Sequence, residues 1–236
     1  MFDALGSHVT AHPEAIGDGH PVMVYPGLGA GSRTTSQLRT FLTRAGFDVS
    51  DWGGGVNIGH AGDFDEWLDG LVSNVRALKD RHSGRKVSLI GWSLGGIFAR
   101  EIAKRAPAAV RTVITLATPF ASLGDATHAG TLFKLLNGEV SKITPALQAQ
   151  LRTSPPVPTT SIYSKSDGIV SWHGCIEKRS AIAESVEVDA SHLGMVNHPD
   201  VQRIVANRLA QPEGSWKPLG RAERIGRMDR LQRAAG

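Results

Sequence analysis

The stretch Val87-Ser88-Leu89-Ile90-Gly91-Trp92-Ser93-Leu94-Gly95-Gly96-Ile97-Phe98 sets a serine between two glycines, where one hydrophobic rhythm gives way to another. Before Ser93 the run is continuously apolar over a few residues, which suits a buried strand. After it, Leu94, Ile97 and Phe98 fall at i, i+3 and i+4, which suits a helix. Serine favours neither element's interior. The pattern G-x-S-x-G at a strand-to-helix corner supplies a reason for it. The turn is so tight that the serine backbone is strained and its hydroxyl is pushed out at the end of the strand. Side chains two residues before and two after would collide, hence Gly91 and Gly95. The helix that begins there aims free N–H groups at any negative charge developing near the hydroxyl. The plainer alternative is a serine that only caps the helix.

Working outward, the same alternation recurs. Val22–Tyr25 reads as a buried strand ended by Pro26-Gly27, and Ser32–Ala45 as a helix closed by Gly46. Phe47–Trp52 reads as a second strand, followed by a loop rich in Gly53, Gly54, Gly55 and Gly59. Phe64, Trp67, Leu68, Leu71, Val72, Val75 and Leu78 share one helical face. Lys86–Gly91, Val110–Leu116, Thr159–Tyr163 and Val186–Val188 are further strands, Leu94–Arg105 is a helix, and Pro199 opens a last helix to Leu209. Short apolar strands alternating with helices predict an α/β fold. Its central sheet is mostly parallel, of about six strands, with helices on both faces. The segment 120–157 breaks the rhythm and is expected to be a small helical cap inserted over the sheet edge. Residues 1–20 are expected to be a flexible N-terminal segment, 21–210 the domain and 211–236 a basic C-terminal tail.

An activated serine needs a base, and the base needs an acid to orient it. Asp167 follows the strand Thr159–Tyr163, and His192 follows Val186–Val188. Both therefore reach the sheet edge where Ser93 stands. His8, His12 and His20 precede the first strand, His82 ends a helix on the opposite edge, and His60 and His128 come before the last two strands. His173 and His198 each lie several residues from a strand end. Asp189 competes as the acid but is only three residues from His192.

Composition narrows the alternatives. The chain has 236 residues, enough for one α/β domain with a full core, and a net charge of +4. Residues 211–236 hold six basic and three acidic residues, leaving the body nearly neutral. A neutral body argues against nucleic-acid binding. The tail arginines recur every three residues and make no single helical face, so membrane contact by the tail is not favoured. One cysteine, Cys175, excludes an intramolecular disulfide. No signal peptide or membrane span is visible, and a cytoplasmic protein is expected, with a mature secreted form as the alternative. Gly27-Leu28-Gly29-Ala30-Gly31, with Asp48 and Asp51 about twenty residues on, resembles a dinucleotide loop. Ser32 stands where that fingerprint needs its last glycine. His8 and His12 have no carboxylate or thiolate companion for a metal.

Four motifs together carry a family resemblance: Tyr25-Pro26-Gly27-Leu28-Gly29, Gly91-Trp92-Ser93-Leu94-Gly95, Ser166-Asp167-Gly168-Ile169-Val170 and Ser191-His192-Leu193-Gly194-Met195. Over about residues 21–210 the chain resembles an α/β-hydrolase, most like the bacterial lipase and esterase branch. The resemblance implies Ser93 as nucleophile, His192 as base, Asp167 as orienting acid, and the Leu28 and Leu94 backbone N–H groups as oxyanion hole. It departs from such lipases in having Pro26-Gly27 where they usually carry His-Gly, and in lacking room before Val22 for two leading strands. Trp92, Phe120, Leu132, Phe133 and Leu136 are expected to line a pocket for a short to medium acyl chain. The expected activity is hydrolysis of a small-molecule carboxylic ester, with no cofactor and no metal. Acyl transfer through the same acyl-enzyme, or a non-catalytic binding protein on this fold, are the alternatives.

Overall fold

A computed structural model of the chain describes residues 17–60, 63–121 and 145–219. Its six strands are β1 (Pro21–Tyr25), β2 (Asp48–Asp51), β3 (Val87–Trp92), β4 (Val110–Leu116), β5 (Thr159–Ser164) and β6 (Ala183–Val188). They form one sheet in the order β2-β1-β3-β4-β5-β6, and every pairing is parallel. The described helices are α1 (Ser36–Arg44), α2 (Phe64–Arg81), α3 (Leu94–Arg105), α4 (Pro145–Arg152) and α5 (Pro199–Leu209). The sheet and the alternation are those expected from the sequence. No described helix is long and apolar enough to cross a membrane.

Strand alternation divides the core in two. Val22, Val24, Ile90 and Ile114 face one side, where Leu38, Phe41 and Leu42 of α1 and Val201, Ile204 and Val205 of α5 cover them. Met23, Tyr25, Leu89 and Val113 face the other, under Leu68, Leu71, Val72 and Val75 of α2 and Ile97, Phe98 and Ile102 of α3. Each fully buried side chain of this kind contributes roughly 1.5–3 kcal/mol, so the two layers fix the sheet from both faces. The start of α2 is held by Asp63, whose carboxylate accepts from the Asp65 and Glu66 amides at 2.9 Å each.

From β1 the chain steps outward to β2, then crosses back to β3 and continues the other way. The loops after β1 and β3 therefore leave towards opposite faces and open a crevice at the carboxyl ends of these strands. Ser93 stands in that crevice.

The folded body is larger than the expected 21–210. Residues 17–20 belong to it rather than to a flexible segment. The Gly17 amide donates to Ala45 O at 2.6 Å, and His20 is fully buried. At the other end Gln211–Leu219 lies against β6 and α5. Arg208 donates to Lys217 O at 2.8 Å, the Leu219 amide donates to Glu184 Oε2 at 2.8 Å, and Leu219 is buried. The physical reason is ordinary: backbone polar groups at both ends find partners on the sheet's flanks, which a reading by charge alone does not register. The arginines from Arg221 onward lie outside the described residues. So does most of the expected cap, of which α4 is described. It packs Leu151 against the α3 side of the core.

Candidate active site

Ser93 follows β3 directly and sits at φ 53°, ψ −119°. That left-handed conformation is costly for a residue with a Cβ and persists only where the surroundings enforce it. They do so through glycine. A Cβ on Gly91 would stand 2.3 Å from Gly95 O, and one on Gly95 would stand 2.4 Å from Tyr25 O. Gly96, which the sequence motif does not require, is just as constrained: its Cβ would meet Thr118 Oγ1 at 2.0 Å. The Ser93 side chain makes no capping bond to α3, so the simple helix-cap alternative fails.

The hydroxyl goes elsewhere. Ser93 Oγ lies 3.1 Å from His192 Nε2, and His192 Nδ1 lies 2.8 Å from Asp167 Oδ2. Asp167 Oδ1 accepts the Ile169 and Val170 amides at 3.0 and 2.7 Å, which points Oδ2 at the imidazole. The two loops are also tied through their backbones, His192 N donating to Asp167 O at 3.1 Å. All three side chains are nearly enclosed. A histidine whose Nδ1–H is held by a carboxylate presents Nε2 as an acceptor to the serine, the arrangement that lets a serine lose its proton as it attacks.

Asp189, the competing acid, accepts from Ser166 Oγ at 2.7 Å and takes no part. His173 stacks on Trp172, His198 accepts the Asp200 amide at the start of α5, and His82 pairs with Asp48. Among the described residues no cluster of His, Cys, Asp and Glu could hold a metal ion. Burial pushes the Cys175 thiol up, and it stays an enclosed thiol donating weakly to Ser171 O.

Leu94 opens α3, so its amide is one of the N–H groups a helix start leaves without an internal partner. The Leu28 amide makes no hydrogen bond to any described residue. Its neighbour Gly27 lies so close to the nucleophile corner that a Cβ there would be 3.2 Å from Ser93 Cβ.

The expected pocket residues separate. Trp92 is buried on the α1 and α5 side, and its indole N–H donates to His192 O at 3.1 Å. It braces the histidine loop instead of facing an acyl chain. Phe120 is enclosed in the core with the Arg100 guanidinium 3.6 Å above its ring. It too offers no open wall. Leu132, Phe133 and Leu136 lie outside the described residues. Sequence reasoning missed Asn57, which is fully buried and donates through Nδ2 to Pro26 O at 2.7 Å. Its only signal was a lone amide in a glycine-rich loop.

Comparison with known proteins gives consistent results. A family profile described as serine aminopeptidase, S33, matches residues 20–177. A curated pimeloyl-[acyl-carrier protein] methyl ester esterase from Shewanella woodyi is 31% identical over 111 residues, which is 45% of this chain and 39% of that protein. The chain thus matches well under half the length of that relative. Among solved structures, one from work on the metagenome-derived lipolytic enzymes LipS and LipT has a TM-score of 0.60 at 16% identity, covering 82% of this chain and 94% of that one. A mature Bacillus licheniformis lipase has a TM-score of 0.59 at 17% identity, covering 85% of this chain and 96% of that one. These likenesses agree in fold, and the family match spans the corner at Ser93 and the loop at Asp167; the chain belongs to the serine aminopeptidase S33 family of α/β-hydrolases.

Proposed function

We propose that this chain is a serine hydrolase that cleaves carboxylic esters through an acyl-enzyme on Ser93. The observation that carries the reading is the Asp167–His192–Ser93 relay, at 2.8 and 3.1 Å, ending on a serine held in a strained corner at the start of a helix. Ser93 Oγ attacks the acyl carbon while His192 Nε2 takes its proton. Asp167 steadies the resulting imidazolium through Nδ1–H. The tetrahedral oxyanion is received by the Leu28 and Leu94 amides. Collapse breaks the ester C–O bond, and His192 returns the proton to the departing alcohol. Water then attacks the acyl-enzyme by the same relay and releases the acid. Every group needed for these steps is on this chain.

The ester reading, rather than the amide cleavage that the family description names, is supported by the curated relative, which is an esterase of a methyl ester. Acyl chains of roughly four to eight carbons are the expectation from the sequence, each buried methylene adding about 0.8 kcal/mol until a wall is met. A fluorophosphonate should label wild type once per chain and leave Ser93→Ala unlabelled. On a p-nitrophenyl ester series kcat/KM should peak in that range, and aminoacyl p-nitroanilides should turn over at least ~10²-fold more slowly. Preferred cleavage of the anilides would replace the esterase reading with a peptidase one. Full labelling of Ser93→Ala would remove Ser93 as nucleophile.

A further inference from the structure

The glycine-rich loop after β2 supplies no member of the relay, yet it is locked onto the loop after β1. Gly31 has no side chain to keep it away: a Cβ there would stand 3.2 Å from Gly55 O and 3.6 Å from Val56 Cα. The lock itself is Asn57. Its backbone N donates to Ala30 O and its carbonyl accepts from Gly29 N, both at 2.7 Å. Its side-chain Nδ2 donates to Pro26 O at 2.7 Å, and its Oδ1 accepts the Gly59 amide at 3.1 Å. One fully buried residue thus holds both ends of Pro26–Ala30.

What lies between those ends is Gly27-Leu28. Gly27 O accepts the Ala30 amide at 3.1 Å, so it points into the turn. In a trans peptide the N–H points opposite to the C=O, so the Leu28 N–H points out of the turn. The preceding peptide unit is fixed by the Asn57 bond to Pro26 O. Without that bond the freely rotating glycine at 27 would let the Leu28 peptide tip, and an oxyanion donor acts only when pre-aimed.

We propose that Asn57 is a positioning residue for the reaction: its side-chain amide, by holding the Pro26 carbonyl, keeps the Leu28 N–H aimed to receive the oxyanion. This rests on the reading of Ser93 as nucleophile and Leu28 N–H as oxyanion donor. The role touches no substrate, so its signature is selective for the charged tetrahedral state.

The test uses the full chain carrying Asn57→Asp, which keeps the shape and loses the donor, and Asn57→Ala. On a soluble short-chain p-nitrophenyl ester kcat should fall about 10²-fold, with KM changed less than about threefold. Inhibition by an alkyl trifluoromethyl ketone, which adds to Ser93 and forms an oxyanion, should weaken by a similar factor. The matching methyl ketone should bind as before. Unchanged kcat, or equal losses for both ketones, overturns the proposal. Should both variants fail to fold, wild type decides by NMR. Ketone addition should shift the Leu28 amide, while the Asn57 side-chain protons stay protected from exchange. An unmoved Leu28 amide or freely exchanging Asn57 protons overturns it. Ser93→Ala that keeps its turnover would instead remove the underlying reading, and this one with it.

Discussion

The described residues include two Ser–His–Asp relays, one near each end of β3. The first joins Ser93, His192 and Asp167 at the carboxyl end. The second joins Ser88, His20 and Asp18 at the amino end, with His20 Nε2 2.7 Å from Ser88 Oγ and His20 Nδ1 2.5 Å from Asp18 Oδ1. By hydrogen-bond length the second is the tighter. What differs is the setting. Ser88 lies inside the strand, fully buried, and its backbone is engaged in the ladders to β1 and β4. No helix begins beside it. Ser93 has left the ladder, sits at positive φ, and has a helix start and the Gly27-Leu28 loop for neighbours. The acids differ as well: the Asp167 side chain is 3% exposed and Asp18 48%, the latter paired with Arg85 and Arg111. A relay prepares a proton transfer. Only a strained corner with unengaged donors gives the oxygen somewhere to attack and the product charge somewhere to rest.

The comparison breaks most easily at the two histidines. His192→Ala should cut ester turnover at least ~10³-fold with little change in melting temperature. His20→Ala should leave kcat/KM within a factor of about two but remove a buried ring and strand two polar partners. The expected cost is about 3 kcal/mol, or roughly 6–12 °C in Tm for a chain of this size. Loss of turnover at unchanged stability in His20→Ala, or retained turnover in His192→Ala, would reverse the two assignments.

Acid should then separate the relays without mutation of the active site. Burial lowers the pKa of His20, against the opposing pull of Asp18. Asp18 is pushed up by its own burial but held well below the carboxylate range by hydrogen bonds from His20 and Arg111. Above about pH 6.5 the His20 ring is neutral in folded and unfolded chains alike, and its contribution is constant. As the pH falls below that value the unfolded chain takes up a proton that the folded one resists, so stability declines until the folded pKa is passed. His60, lowered by burial, adds to the decline, and His82, raised by its bond to Asp48, opposes it. A thermal series from pH 7 to about 5 should therefore show a falling Tm whose slope is shallower in His20→Phe. Equal slopes would mean that His20 takes up its proton alike in the folded and unfolded chains.

The smallest effect concerns backbone strain. Ser93→Gly should stabilise the protein by about 1 kcal/mol, because glycine adopts φ near 53° at little cost. Ser88→Gly should destabilise it, since it loosens a central strand and leaves His20 Nε2 without its partner. Denaturant melts of both variants measure the sign. A destabilised Ser93→Gly would show that the corner is relaxed, and the contrast between the two serines would then rest on access to donors alone.

Much of this was legible in the sequence because period and punctuation report backbone directly. The helix Pro199–Leu209 has its expected limits, since proline fixes its start and the apolar face its length. Ser93, His192 and Asp167 were placed by the ends of the strands they follow. His20 was set aside because it precedes β1, and nothing in its neighbourhood marks a bond to a residue 68 positions away. Trp92 reads as a pocket residue because it stands beside the nucleophile, and Phe120 because it belongs to the apolar residues of the segment 120–157. Their actual partners, His192 O and Arg100, come from distant segments. Leu219 was hidden in a stretch dominated by charge. In each case the deciding contact is long-range, and local pattern carries no record of it.

Arg100 has a consequence of a different kind. From within α3 it lies over Phe120 and donates to Thr153 O at 3.1 Å, while a buried ion pair with Glu177 holds its charge. The two margins of the stretch between β4 and β5 are thus moored to one side chain on the helix that begins at the nucleophile. Once the margins are moored, lengthening what lies between them is inexpensive, about 0.6 kcal/mol for each doubling of a flexible loop. The fold therefore carries an insertion point: the length of chain between residues 121 and 145 can change while α4, with Leu151 in the core, the sheet and the machinery at its edge stay as they are.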